Sequence, residues 1–344
     1  MEHPKRIGKY EVEEFLGGGM SHVYRATDTV LGRRVAIKVL TPDAMTDAGA
    51  KDRFLQEARL ASNIQHENII SIYDFGEDAG RPFMVMEFVE GESLRAAIEG
   101  GRAGDIAERI RIARQAARAL EHIHTRKVIH RDIKPENIHL DGMGKVRLMD
   151  FGIASATGTA AKAGSTAGTP FYMAPEQVLG VDVTIQADIY SFGIVLYELF
   201  TGTKPFQGSK VEEIFEQILH TPVDPQPLID ANVPKSVIDV IARCTSKKLI
   251  ERPATLGPVV DELHAAAVLE PAAAPKPEAV EAGRLSPSAQ RPPSEVRLTM
   301  PPPPKREKES APAKPPAANT FLWTIAGAIA VALLIYAVVA LSQH

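Results

Sequence analysis

Cysteine is almost absent. Cys244 stands alone in 344 residues, so no internal disulfide can form, and a reducing compartment is expected. A basic excess is also missing: 39 Lys and Arg face 43 Asp and Glu, for a net charge of −4. That balance gives no general case for a nucleic-acid partner. Residues 1–30 contain no long apolar run, so no N-terminal signal peptide is expected. No internal repeat stands out. What is present is apolar residue enough for a sizeable core, 44% of the chain, and a length that allows about two domains.

Composition changes near residue 270. Residues 269–319 are rich in Pro and Ala, with a proline run at Pro301–Pro304. Such a segment buries too little apolar surface to offset its ordering entropy, so a disordered juxtamembrane linker is expected. Residues 321–341 carry no charge, and roughly 20 such residues suffice to cross a bilayer core as a helix. Residues 320–341 are therefore expected to be one transmembrane helix, with Trp323 at an interface. Lys305, Arg306, Lys308 and Lys314 outnumber Glu307 and Glu309 on its N-terminal side. The positive-inside rule then places the preceding chain in the cytoplasm and residues 342–344 outside a cell or inner membrane. Ala326/Ala330 and Ala328/Ala332 have the small-xxx-small spacing that supports helix pairing, so a homodimer is allowed.

The most informative stretch is residues 130–152, HRDIKPENIHLDGMGKVRLMDFG. Two short apolar runs flank Asp141-Gly142-Met143-Gly144, a strong hairpin signal. Such a hairpin sets Asn137 and Asp150 side by side at its open end, with Asp132 in the incoming loop. An amide oxygen and a carboxylate suit Mg²⁺, which usually accompanies phosphates. A polar hairpin mouth solvated by water remains the alternative.

Upstream, Tyr10–Leu16 and Val23–Thr27 read as strands around Gly17-Gly18-Gly19-Met20-Ser21. Glycines allow a tight turn with N–H groups presented to a phosphate, although many such hairpins bind nothing. Val35–Leu40 reads as a strand with Ala36 and Lys38 on one face: room for a flat ring, and a cation for phosphates. A solvated lysine is the alternative. Residues 51–64 read as a helix with Phe54, Ala58 and Ala61 on one stripe. Glu57 lies beside that stripe, able either to pair with Lys38 or to face solvent. Phe83–Val89 is continuously apolar and reads as a buried strand that ends at a cleft.

The order GGGMSHV, VAIK, Glu57, HRDIKPEN, DFG and APE resembles the eukaryotic-like protein kinases. The wording of the glycine loop and of GTPFYMAPEQ is most similar to bacterial membrane-bound serine/threonine kinases. The resemblance covers residues 10–265. It implies an α+β, two-lobed protein kinase fold, with a small β-rich N-lobe and a larger helical C-lobe, followed by the linker and the helix. The corresponding division is an N-terminal tail at 1–9, a catalytic domain at 10–268, the linker at 269–319, the anchor at 320–341 and a tail at 342–344.

The resemblance also implies roles. Leu16, Gly17, Gly18, Gly19, Met20, Ser21, His22 and Val23 would cover the phosphates of ATP. Lys38 would bind them and pair with Glu57, Ala36 would face adenine, and Met86 would be the gatekeeper. The backbones of Glu87 and Val89 would bind adenine. Asp132 would orient the substrate hydroxyl and accept its proton, and Lys134 would neutralise the transferred phosphoryl group. Asn137 and Asp150 would hold Mg²⁺, or Mn²⁺. Lys134 and Thr169 fit serine/threonine specificity, so the partners would be protein substrates. Ser165 and Thr166 are phosphosite candidates in an activation segment running from Asp150 to Glu176, and Arg131 would receive the phosphate. The expected activity is that of a membrane-tethered, ATP-dependent, non-specific serine/threonine protein kinase. The alternative is a pseudokinase acting as a membrane scaffold.

Two departures stand out. The glycine loop is one residue shorter than the family's and has Ser21 where a third glycine is common, and His139 replaces an aliphatic residue. Elsewhere, residues 106–124 carry an apolar helical stripe, and His122 and His124 fall on different faces of it, against a His122–His124–His130 metal cluster. Residues 188–200 are apolar nearly all round, as for a core helix ending at Gly202. Asp188 would either cap that helix or bond the catalytic loop. Glu176 and Arg252 would form a buried ion pair, and Cys244 would be an inert core thiol.

Overall fold

The computed structural model describes residues 3–150 and 170–269. The linker beyond Leu269, which itself ends the last helix, the apolar stretch 321–341, Ser165, Thr166 and Thr169 lie outside them. Among the described residues no helix is long and apolar enough to cross a membrane.

The N-terminal part is an antiparallel sheet. Its strands are β1 (Arg6–Ile7), β2 (Tyr10–Gly18), β3 (Ser21–Asp28) and β4 (Arg34–Leu40). Helix α1 (Ala50–Ser62) follows, then β5 (Ile72–Asp78) and β6 (Arg81–Glu87), in the order β1-β2-β3-β4-β6-β5. Residues 6–7, read as tail, thus join the sheet, with Ile7 buried.

The two-residue alternation of a strand divides the side chains between two clusters. Val35, Ile37, Val39, Phe83 and Val85 pack on one face with Tyr10 and Tyr24. Ala36, Leu40, Met84 and Met86 pack on the other against Phe54 and Ala58 of α1. Because β6 is covered on both faces, its sequence is continuously apolar instead of alternating. It ends at Glu87, two residues before the expected Val89, and the chain crosses to the second lobe.

That lobe starts with β7 (Gly91–Ser93), α2 (Leu94–Glu99) and α3 (Ile106–His124). The hairpin strands β8 (Ile138–Asp141) and β9 (Val146–Leu148) form a small sheet with β7. Asp141 Oδ1 accepts from the N–H groups of Met143 and Lys145, and Gly144 at φ +69° closes the turn. Helices α4 (Pro175–Val178), α5 (Ile185–Thr201), α6 (Val211–His220), α7 (Gln226–Asp230), α8 (Lys235–Cys244) and α9 (Gly257–Leu269) complete it.

Helix α5 is the spine of the lower core, buried continuously from Ala187 to Phe200. It begins three residues before the expected start, capped by Thr184, whose hydroxyl accepts from Gln186 N–H. Its C-cap is Gly202 at φ +75°, as expected. Ile112, Ala116, Ala119, Leu120 and Ile123 of α3 and Cys244 of α8 pack in the same cluster.

The lobes meet behind the cleft. Ile69 bridges to Leu148 in parallel, with Ile70 N–H donating to Leu148 O at 3.0 Å and Leu148 N–H to Asn68 O at 2.8 Å. Ala61, Ile64 and Ile69 are buried in the lower core, although they precede the end of the upper sheet in sequence.

Candidate active site

Alternation on β4 turns Lys38 and Ala36 toward the α1 side of the sheet. There Lys38 Nζ donates to Glu57 Oε1 at 2.8 Å and to Asp150 Oδ1 at 2.9 Å. Glu57 is buried, the Lys38 side chain is mostly buried at 13% exposure, and that of Asp150 is about one-third exposed. Burial opposes the Lys38 charge, yet Asp150 and Glu57 together raise its pKa above the ordinary lysine value, so it is a cation throughout the physiological range. Burial pushes Glu57 above the usual carboxylate range against the pull of Lys38. Burial acts in the same sense on Asp150, but Lys38, His130 and Lys134 outweigh it and hold its carboxyl low. Asp150 sits in the left-handed region at φ +49°, where the chain leaves β9.

On the floor of the cleft, Asp132 Oδ2 accepts from Lys134 Nζ at 2.7 Å and from Asn137 Nδ2 at 2.9 Å. Asn137 Nδ2 also donates to Asp132 O at 2.7 Å, while Met149 N–H donates to Asn137 O at 2.9 Å. The last bond closes the mouth of the hairpin and sets Asn137 beside the start of Asp150, as its spacing predicts. With the amide nitrogen committed to Asp132, the amide oxygen is the Asn137 atom left for a cation. An amide oxygen beside the carboxylate of Asp150 is a hard, oxygen-only donor set of the kind that fits Mg²⁺. Beside Asp132 lies a cavity of about 40 Å³, walled by Arg131, Ile133, Lys134, Tyr172, Met173 and Gln177.

The loop carrying Asp132 is fixed from below. Asp188, inside α5, is not its N-cap. Its carboxylate accepts from His130 N–H at 2.8 Å, Arg131 N–H at 2.7 Å and His124 Nε2 at 2.9 Å. These bonds hold Arg131 at φ +68°, a conformation that costs a non-glycine residue about 1 kcal/mol or more. His130 is fully buried, its Nε2 bonded to Met149 O. These histidines are held by structural contacts: the His122 ring lies tilted against that of His66 at 4.7 Å, and among the described residues no group of three or more His, Cys, Asp or Glu is placed to hold a metal.

At the back of the cleft Met86 is buried opposite Ala36. The Glu87 carboxylate turns away to Arg147 Nη2 at 2.8 Å and Ser71 N–H at 3.3 Å, so only its backbone can serve a ligand in the cleft. Overhead, the strands run through the glycines instead of stopping short of them. Gly17 and Gly18 end β2, Ser21, His22 and Val23 begin β3, and only Gly19 and Met20 remain as the turn. Leu16 and Met20 are exposed.

Sequence reasoning did not find Arg95. Its guanidinium bonds Glu136 at 2.9 Å, Glu198 at 2.6 Å and Tyr172, joining α2, the catalytic turn, the segment after residue 169 and α5. It flanks a cavity of about 420 Å³ with Phe171, Lys204 and Phe206. Its partners are far apart in sequence, so no local pattern marks it.

A two-lobed body with this lysine–glutamate–aspartate bridge over an aspartate–lysine–asparagine floor is that of a protein kinase. The protein kinase domain family matches residues 10–263, and the chain belongs to it. It is similar to the serine/threonine-protein kinase PrkC of Bacillus subtilis (strain 168), at 40% identity over 252 residues covering 72% of this chain and 39% of that protein. It is also similar to the serine/threonine-protein kinase PknA of Mycobacterium tuberculosis, at 35% identity over 291 residues covering 82% of this chain and 66% of that protein. Among solved structures it resembles Rad53 1-466 in complex with AMP-PNP, with a TM-score of 0.63 and 27% identity, covering 74% of this chain and 64% of that one. The chain spans about two-fifths of the length of relatives such as PrkC.

Proposed function

We propose that the chain is a serine/threonine protein kinase that transfers the γ-phosphoryl group of ATP to protein hydroxyls. The observation that carries this reading is the bridge from Lys38 to both Glu57 and Asp150 above the Asp132–Lys134–Asn137 network. Asp132 orients the substrate hydroxyl and takes its proton. Its Oδ2 is engaged by Lys134 and Asn137, so Oδ1 is the atom available to the hydroxyl. Lys134 stands close enough to offset charge on the group in transfer. Lys38 holds phosphate oxygens, with Glu57 fixing its position. Asn137 and Asp150 would hold Mg²⁺, which would supply neutralisation of phosphate charge when bound. Every side chain that a pseudokinase would be expected to lack is in place, so nothing favours the scaffold reading.

The test is labelling of the full chain and of a generic protein from ATP·Mg²⁺, beside the Asp132→Asn and Lys38→Met variants. Strong labelling by the unaltered chain alone is expected. Equal labelling by all three would end the kinase reading.

The same reading extends to regulation and location. Phosphorylation of Ser165 or Thr166 would give Arg131 a partner, and its Nε is buried without a hydrogen-bond partner among the described residues. Mass spectrometry of active protein should find phosphate between residues 152 and 170, and its absence there removes the idea. Residues 320–341 anchor the chain in the membrane with the kinase domain on the cytoplasmic side, and pairing of that helix would favour autophosphorylation in trans. Deleting residues 320–344 should release the protein to the soluble fraction. Retention on the membrane would refute the single anchor.

A further inference from the structure

The shortened glycine loop is tied down at its tip. Thr41 N–H and Thr41 Oγ1 both donate to the carbonyl of Met20, each at 3.0 Å. Thr41 is 7% exposed and lies just past the end of β4, three residues beyond Lys38. Its hydroxyl also accepts from Ala44 N–H at 3.3 Å, which fixes its rotamer. On the inner side of the turn, Gly19 N–H donates to Ser21 O at 3.1 Å. Gly18, at φ +144°, passes so close to the Ser21 carbonyl that a Cβ would lie 2.0 Å from it. The turn is therefore tied on both sides, at the Met20 carbonyl and at Gly19 N–H.

A trans peptide carries its C=O and N–H on opposite sides. Fixing the Met20 carbonyl toward Thr41 fixes the next N–H, that of Ser21, away from β4 and toward the glycine run. A glycine loop acts on phosphates through its backbone N–H groups. A bond that fixes the peptide plane at the tip thus fixes the orientation of a phosphate donor.

We propose that Thr41 is a positioning residue of the nucleotide site, which sets the peptide at the tip of the shortened loop over the phosphates of a bound nucleotide. This rests on the kinase reading of the cleft. The missing residue and the missing third glycine remove freedom from the loop, and the Thr41 hydroxyl converts what remains into one fixed geometry. Pre-organisation of this kind lowers the ordering cost of binding. It would act on the phosphates alone, because the family reading sets the base at Ala36, Met86, Glu87 and Val89, away from the tip.

The test compares ADP·Mg²⁺ with adenosine, which lacks phosphates, by titration calorimetry on the full chain. Thr41→Val keeps the shape and the backbone bond and loses the hydroxyl. It should weaken ADP binding about 3- to 10-fold, the change expected for one hydrogen bond, and leave adenosine within twofold. Thr41→Ser should restore ADP binding. A glycine inserted between Gly18 and Gly19 should reproduce the ADP-specific loss with Thr41 intact, and it carries the test if Thr41→Val does not fold. Equal weakening of ADP and adenosine, or no weakening of ADP by either change, would overturn the proposal. Because binding is the readout, a chain that binds ADP normally and transfers no phosphate fails the kinase reading without touching this one.

Discussion

Replacing Arg252 by Met should be among the most damaging single changes to the stability of the chain. The Arg252 side chain is fully buried, and that of Glu176 is 6% exposed. The pair is bidentate, with Nη1 to Oε1 at 2.7 Å and Nη2 to Oε2 at 3.0 Å. Two further donors are committed, Nη1 to Gln186 O at 2.8 Å and Nε to Ser246 O at 2.8 Å, and the guanidinium lies over the Tyr190 ring. Removing one partner strands a carboxylate that has no access to water. The expected cost is about 3–5 kcal/mol. For a domain of this size a kilocalorie moves Tm by about 2–4 °C, so a fall of about 6–20 °C is expected in a thermal scan. The double variant Arg252→Met/Glu176→Leu removes both charges and should be less damaged than the two single changes summed, by about 2 kcal/mol. The loss should be the same at low and at high salt, since a buried pair is poorly screened. A fall under about 3 °C for Arg252→Met, or simple additivity in the double variant, would refute the reasoning.

Asp188→Asn should lower kcat by about 10- to 100-fold with little change in KM for ATP, because it loosens the loop carrying Asp132 without touching the nucleotide cleft; a normal kcat counts against it. Burial, with Arg252 nearby, lowers Lys247 to about 8 from 10.5, so the unfolded chain binds more protons between those values and stability rises with pH across that window. Lys247→Met should therefore raise Tm below pH 8, with the gain fading toward pH 10.5, and a gain that grows with pH would contradict the sign. Burial pushes the Cys244 thiol up to about 12, so a thiol reagent at pH 8 should label the protein only after denaturation; stoichiometric labelling of folded protein would disprove its burial. His139 Nε2 is buried without a hydrogen-bond partner among the described residues, while the ring also bonds the Val89 backbone, so His139→Leu removes one stranded and one satisfied ring nitrogen and should move Tm by no more than a few degrees; a fall of about 10 °C would contradict that balance.

The parts of the site legible in the sequence are those set by short-range geometry. Asn137 and Asp150 are joined by one hairpin, and Ala36 and Lys38 by one strand, so alternation and turn chemistry were enough to place them. Glu57 was placed beside its helical stripe, but its pairing with Lys38 depends on how α1 packs on the sheet, which periodicity does not encode. The family resemblance supplied that pairing. The role of Asp188 stayed open for a related reason. A carboxylate near the start of an apolar helix resembles a cap, and only the path of the catalytic loop under α5 decides otherwise. Thr41 and Arg95 were not legible at all. Thr41 acts through a backbone carbonyl, which leaves no trace in residue identity, and the Arg95 contacts span most of the catalytic domain. The strand ends in the glycine loop differ from expectation because glycines signal turns, whereas here Gly18 lets two strands approach closely and Gly17 supplies only a positive φ of +132°.

The placement of Ala61, Ile64 and Ile69 has a mechanical consequence. The last turn of α1 and the segment after it are plugged into the lower core, while Phe54 and Ala58, earlier in the helix, pack against the upper sheet. Helix α1 is thus a lever with its fulcrum in one lobe and its working arm in the other. Glu57 rides on that arm. A displacement at the fulcrum would reach the Lys38–Glu57 contact through the helix, so the ion pair is coupled to the packing of the lower core as well as to the cleft.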